Sequence, residues 1–278
     1  MDRHVLRNTL ERLLRSDSRT FKGPWLRAGD RMNYKVTSTR HPAFSEDEFV
    51  ATGEWTHDLT EAYNRLRKPR LLLTPYEGWN YSGSFDFLRD LWRIESFRLF
   101  NEIETDLTPL YERQELKKLG LLGVRISKKR PGLDFAQFPN LQVLDIRCWT
   151  GGMRNLDRSI RLKYLDIWGY NNVKEWDLSN CSELEVLEVH GARALETINL
   201  TGLKLLRSLT LLAVPKLTEL RGVQDIVVRP DSWVRIDGAK RLDATILKHF
   251  SGAKHVSFQG KRIISEGKNV RPWPGFSS

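Results

Sequence analysis

A repeat of about 22 residues runs through the middle of this 278-residue chain and restricts what it can fold into. Each copy has the apolar pattern L-x-x-L-x-L, with Ile, Phe or Val at some of the apolar positions. Six copies start at residues 94, 116, 141, 162, 184 and 206, which are 21 to 25 residues apart. A unit this short cannot bury its own apolar residues, so neighbouring units must stack. The last three positions alternate as in a short strand, which predicts one strand in each unit.

The repeats resemble those of leucine-rich-repeat proteins. Residues 106–110 read D-L-T-P-L, similar to the D-I-x-P-L turn of internalin-like repeats, and residues 173–200 follow the L-D-L-S-x-C-x-x-L rhythm of irregular repeats. The resemblance implies an α/β fold: a solenoid bent into an arc, with parallel strands on its concave face. One feature departs from the family, because the usual Asn three positions after the strand is absent. Those positions hold Glu102, Val124, Trp149, Tyr170, Ala192 and Val214.

The register of the repeat loosens towards both ends, which predicts three regions. Residues 1–65 are expected to form an N-terminal α+β cap, with a helix over 4–14 and strands over 32–37 and 49–56. Residues 66–262 are expected to form the solenoid, beginning with a strand at 71–73 and ending with templates that start at Val223 and Ala253. Residues 263–278 are predicted to be a basic, loosely ordered tail. Caps are needed because the terminal units of a solenoid expose their core.

The net charge of +10 is concentrated at the two ends of the chain. Residues 1–70 hold 14 Lys/Arg against 10 Asp/Glu, and residues 229–278 hold 10 against 4. The central segment, 71–228, holds 21 of each and is neutral. Basic ends attract polyanions without making the solenoid a sequence-specific reader of nucleic acid. Association with nucleic acid or another polyanion through these ends is therefore kept as the alternative function.

The chain lacks the long apolar segments of membrane or exported proteins. No apolar run approaches the roughly 18 residues of a membrane span, and the first residues lack the apolar core of a secretory signal. We therefore expect a cytoplasmic protein that does not contact a membrane, and an elongated monomer.

The strand register also predicts which side chains the concave face carries. The positions between and after the apolar ones contain three acids on consecutive strands, with aromatic, Arg and His residues beside them. Aromatic and Arg anchors within a polar rim are typical of protein-binding surfaces. Like charges on neighbouring strands are destabilising, so Arg147, His190, solvent or a cationic partner must offset them. We therefore predict that this chain is an inhibitor, immunity-type protein or adaptor. It is expected to bind a partner protein that has a basic patch. The predicted binding residues are Arg98, Phe100, Asp145, Arg147, Tyr164, Asp166, Trp168, Glu188 and His190.

Catalysis is not indicated by any motif in the chain. The sequence has no H-E-x-x-H, C-x-x-C, P-loop, G-x-S-x-G or dinucleotide fingerprint. Its six histidines are scattered without the spacing of metal ligands. The acidic row could form a pair of catalytic carboxylates or a divalent-cation site, but an open face does not exclude water. We therefore expect a binding protein that is not an enzyme and that has no cofactor and no metal.

Overall fold

Each of the six repeats contributes one strand to a single large sheet. The computed structural model describes residues 34–38, 43–44, 47–66, 70–125 and 132–265. One α-helix, His57–Arg65 (α1), lies between the second and third strands. The strands in chain order are Tyr34–Ser38 (β1), Asp47–Ala51 (β2), Arg70–Leu73 (β3), Ser96–Phe100 (β4), Lys118–Leu122 (β5), Leu133–Asp134 (β6), Val143–Arg147 (β7), Met153–Arg154 (β8), Tyr164–Trp168 (β9), Glu175–Asp177 (β10), Val186–His190 (β11), Thr197–Asn199 (β12), Ser208–Leu212 (β13), Glu219–Arg221 (β14), Trp233–Asp237 (β15), His255–Phe258 (β16) and Lys261–Ser265 (β17).

Twelve of the described strands form the large sheet in the order β1-β2-β3-β4-β5-β7-β9-β11-β13-β15-β16-β17. The strands from β2 to β16 run parallel. The terminal pairs, β1–β2 and β16–β17, are antiparallel. The sheet therefore continues from the predicted cap into the solenoid without a break, and a hairpin closes it at each end.

The leucines of the template stack in register inside the solenoid. Leu144, Leu165, Leu187 and Leu209 are direct neighbours on four consecutive strands, and each is at most 1% exposed. Opposite them, the second apolar cluster of each unit closes the outer side of the coil, partly as a three-stranded sheet of β10, β12 and β14. The predicted L-x-x-L-x-L strands are confirmed.

The outer turns are fixed by short polar side chains. In five units an Asp or Asn side chain accepts a hydrogen bond from the backbone N–H two residues later: Asp106 from Thr108 at 2.9 Å, Asp134 from Ala136 at 3.1 Å, Asp177 from Ser179 at 3.0 Å, Asn199 from Thr201 at 3.1 Å and Asp243 from Thr245 at 2.9 Å. Such turns satisfy backbone donors that the short outer segments leave unpaired.

One predicted strand is wrong. The template at Val223 forms a 3₁₀ helix, Val223–Asp225, and the next strand of the large sheet is β15. Val223 and Ile226 are buried, but their three-residue spacing fits a 3₁₀ turn as well as the start of the template. Gly222, with a φ of +74°, precedes this turn. The template at Ala253 is confirmed as β16, in which Val256 is fully buried.

The predicted elements near the two ends are confirmed in part. The predicted strand at 71–73 is β3, and the two predicted cap strands correspond to β1 and β2, although β2 ends at Ala51. The predicted helix over 4–14 and nearly all of the 263–278 tail lie outside the described residues. Within the described ranges, no helix has the length and apolar character needed to cross a membrane.

A left-handed residue directly after the strand replaces the family's Asn turn. Its N–H donates to the end of the next strand, as from Gly169 to His190 O at 2.7 Å and from Gly191 to Leu212 O at 2.8 Å. The residue that follows packs into the core, which explains the apolar side chains at the missing Asn positions. The left-handed residues are Gly123, Cys148, Gly169, Gly191, Ala213 and Gly238, and the buried ones are Val124, Trp149, Tyr170, Ala192, Val214 and Ala239.

Ala213 has a φ of +54° at a position where four equivalent residues are glycine. We expect Ala213→Gly to raise the free energy of unfolding by about 1 kcal/mol, because relief of the left-handed strain outweighs the added freedom of the unfolded chain. Gly191→Ala should lower it by a similar amount. A Cβ there finds its nearest neighbour at 3.8 Å, so only the backbone is strained. Urea unfolding measures both. Ala194→Gly, in a turn without positive φ, is the control and should destabilise. Equal effects of the two alanine-to-glycine changes would contradict this account.

Candidate functional site

The predicted site residues lie on the face of the large sheet that is turned away from the core. Asp145, Asp166 and Glu188 are neighbours on β7, β9 and β11. Arg147, Trp168 and His190 form the adjacent row at the ends of the same strands. The sequence therefore placed these side chains in correct order. Their environment differs from the predicted open surface, because only Trp168 and His190 retain appreciable exposure.

Two residues between β1 and β2, Ala43 and Phe44, cover part of the N-terminal half of this face. Ala43 and Phe44 are buried against Val143, Tyr164 and Val186 of three consecutive strands. Val50, Leu72, Phe100 and Leu122 form a second buried apolar cluster on the same face. This half of the face is therefore a small second core.

Gly120 makes room for this cover. A Cβ at Gly120 would lie 3.4 Å from the Phe44 ring and 3.1 Å from Arg98 Cγ. The guanidinium of Arg98 lies 4.6 Å from the ring centres of both Phe44 and Phe100. Its Nη1 donates to Glu48 Oε2 at 2.8 Å, and both side chains are at most 2% exposed. Arg98 and Phe100 thus hold the cover in place, and they are not available to a partner in this conformation.

Arg147 offsets two of the three acids. Its Nε donates to Asp145 Oδ1 at 2.9 Å, and its Nη2 donates to Asp166 Oδ2 at 3.1 Å. Burial, followed by the charge of Asp145, raises the pKa of Asp166 well above its usual range, although Arg147 opposes both. Arg147 is one of the four offsets that the sequence allowed for this row, beside His190, solvent and a cationic partner, and it is the one that binds two of the acids. The resulting network is inside the protein.

Trp168 and His190 lie at the boundary between the closed and open halves of the face. Their rings stack with centroids 4.0 Å apart, and the Trp168 ring also covers the Arg147 guanidinium at 4.8 Å. Glu188 Oε2 lies 3.5 Å from His190 Nε2. Asp166, Glu188 and His190 bring one potential ligand atom each to within 4.8 Å of the others.

The C-terminal half of the face is open, and the sequence analysis missed it. Trp233 and His255 on β15 and β16 repeat the ring stack, at 3.9 Å and 13°. Arg235 is exposed, and its Nε donates to Asp237 Oδ2 at 2.9 Å. Because the sequence predicted a strand at Val223, β15 and the side chains that it carries on this face were not identified. We define the open concave patch as the partly or fully exposed residues Trp168, His190, Leu212, Trp233, Arg235 and His255.

The twelve-stranded sheet, the repeat register and the outer strands together decide the fold. The chain folds as a leucine-rich-repeat solenoid. No protein-family model matches the sequence, and comparison with curated proteins finds no match.

Two solved leucine-rich-repeat structures from Listeria monocytogenes are similar to the chain. Internalin C2 is 20% identical, with 80% of this chain and 85% of that chain covered and a TM-score of 0.41. The functional domain of InlJ is 16% identical, with 69% of this chain and 52% of that chain covered and a TM-score of 0.33. The fold assignment rests on the repeat register of the chain itself.

Proposed function

We propose that this leucine-rich-repeat solenoid binds a partner protein through the open concave patch. The observation that supports the proposal is the pair of Trp–His stacks, which remain partly exposed while the N-terminal half of the face is closed. Leucine-rich-repeat arcs offer extended concave surfaces for binding. Both stacks lie on an open sheet face that does not exclude water, which favours a binding protein over an enzyme.

The composition of the patch fits a protein interface. Trp and Arg are the residues that most often contribute large binding energies, especially when a polar rim surrounds them. Trp168 at the end of β9 and Trp233 at the start of β15 are three strand spacings apart, about 14 Å, and are also offset by four residues along the strands, about 13 Å. A partner that crosses the face diagonally could bury both rings, and Leu212 lies in the same row as Trp168.

The partner chemistry follows from which charges reach solvent. Asp145 and Asp166 are paired with Arg147 beneath the surface and do not present their charge outward. The predicted basic patch on the partner therefore loses its main support. Arg235, the charged residue of the patch, is already paired with Asp237. We propose recognition through apolar and aromatic contacts with a polar rim, which an inhibitor, immunity-type protein or adaptor could each use.

The test compares Trp233→Ala with Trp92→Ala in affinity capture followed by mass spectrometry. Trp92 is 51% exposed and lies outside the patch, so it is a matched control for loss of an exposed indole. A true partner should be retained by wild type and Trp92→Ala and weakened by Trp233→Ala by more than about 2 kcal/mol. Equal retention by both variants would refute the proposed surface.

Salt dependence separates the proposal from the polyanion alternative. Binding to nucleic acid through the basic ends should weaken steeply as salt rises from 50 to 200 mM, as counterion release requires. Binding through the open concave patch should change mainly in its association rate. The polyanion alternative would be favoured if wild type and Trp233→Ala capture nucleic acid equally and both lose it at the higher salt.

A further inference from the structure

Asp166, Glu188 and His190 form a compact set of potential metal ligands. Glu188 and His190 are two residues apart on β11 and so project from the same face, and Asp166 is the direct neighbour of Glu188 on β9. Their ligand atoms all lie within 4.8 Å of one another. Among the described residues, this is the single group of three or more acidic, His or Cys side chains with such spacing.

The ligand atoms have few competing partners. Asp166 is 1% exposed, and Arg147 binds its Oδ2. The buried Oδ1 has no hydrogen bond of good geometry, although the Trp168 side chain is close enough to act on this carboxyl. His190 Nε2 is also buried and makes no hydrogen bond. The Glu188 side chain is 8% exposed, and its Oε2 lies 3.5 Å from His190 Nε2. Buried polar atoms are rarely left unpaired without a reason.

The local charges also favour a bound cation. Three carboxylates, those of Asp145, Asp166 and Glu188, face one guanidinium, that of Arg147. Buried charges need compensation by a counter-charge or a metal. Arg147 compensates the carboxylates of Asp145 and Asp166. Among the described residues, no equivalent residue compensates Glu188 on β11.

We propose that Asp166, Glu188 and His190 bind one divalent transition-metal ion of the Zn²⁺ type. Imidazole and carboxylate ligands together favour Zn²⁺ and its neighbours, whereas Mg²⁺ and Ca²⁺ prefer oxygen ligands alone. Ligand atoms about 2.0–2.1 Å from a tetrahedral Zn²⁺ lie about 3.3 Å apart. The 3.5 Å between Glu188 Oε2 and His190 Nε2 is close to this value.

The surroundings of the three ligands suit a metal site. Arg147 holds Asp166 through Oδ2 and leaves Oδ1 for a metal ion, as outer-shell partners orient ligands in metalloproteins. Trp168 stacks on His190 and forms one wall. The residual exposure of Glu188 and His190, 8% and 14%, leaves a path to solvent. Three protein ligands leave coordination positions for water or for a group of another molecule. This site does not depend on the proposed protein partner.

Calorimetric titration of the metal-stripped full chain with Zn²⁺ tests the proposal. We expect one ion per chain for wild type and at least tenfold weaker binding for Glu188→Gln and for His190→Gln. Glu188→Gln keeps the shape of the side chain and removes a charge, and His190 is partly exposed, so both variants should fold. Circular dichroism checks that they do.

His255→Gln is the matched control. His255 has the same stacked Trp neighbour, but Arg235 and Arg262 lie near it, and burial followed by these two charges lowers its pKa. This variant should bind Zn²⁺ like wild type, and so should Cys148→Ser, which removes the half-buried thiol next to Arg147. Co²⁺ should give the intense visible band of a four- or five-coordinate site in wild type and lose it in His190→Gln. Absence of stoichiometric Zn²⁺ binding, or binding that survives both ligand variants, would overturn the proposal.

Discussion

Arg147→Met is expected to lower the free energy of unfolding by about 3–5 kcal/mol, the cost of leaving buried partners of an ion pair without their counter-charge. Arg147 is 6% exposed and hydrogen-bonded to two carboxylates, each 1% exposed. Methionine keeps much of the side-chain volume, so the loss reports charge more than packing. Urea denaturation followed by circular dichroism measures it.

Two further variants make the Arg147 result interpretable. Adding Asp145→Asn and Asp166→Asn to Arg147→Met should restore a large part of the stability, because the carboxylates that lost their counter-charge are then neutral. Arg235→Met removes an ion pair of the same 2.9 Å length whose Arg side chain is 49% exposed, and it should cost less than about 1 kcal/mol. Equal losses from Arg147→Met and Arg235→Met would show that the acidic row is exposed to solvent, as on an open concave face.

The architecture could be predicted from the sequence because it depends on local, repeated information. Each L-x-x-L-x-L copy has the same strand and core positions, so six copies in phase determine the parallel register. The prediction failed at Val223, where one apolar spacing fits two kinds of backbone. The glycines after the strands were a usable signal that was missed. Gly123, Gly169 and Gly191 mark the left-handed turn that replaces the Asn of the family.

The state of the concave face could not be predicted from the repeat. The register placed Asp145, Asp166 and Glu188 correctly in one row but gave no information about what covers them. Phe44, which covers the face, lies outside the repeats, and its contacts with Val143 and Tyr164 span about a hundred residues of sequence. Apolar residues at outward positions, such as Val143 and Val186, were the available sign that this half of the face is closed.

Leu187→Ala is expected to lower the free energy of unfolding by about 2–5 kcal/mol, the range for truncating a fully buried leucine. Leu187 is fully buried and lies between Leu165 and Leu209 in the central stack. The loss of stability should approach the upper end of this range. The neighbouring strands hold β11 by hydrogen bonds on both sides, so the backbone cannot move far into the cavity. Coincident urea transitions by circular dichroism and tryptophan fluorescence would show that neighbouring repeats unfold together, as expected when each repeat contacts only its neighbours.

Leu205→Ala is the control, since Leu205 is 41% exposed in the turn that follows the same repeat. It should change stability by no more than about 0.5 kcal/mol, as surface substitutions usually do. The comparison separates burial from the change in residue type. If Leu187→Ala and Leu205→Ala have the same effect, then Leu187 does not face the core, and the register of the whole parallel sheet must shift by one residue. Such a shift would place Asp166 and Glu188 inside the solenoid and remove both the Arg147 network and the candidate metal ligands from the concave face.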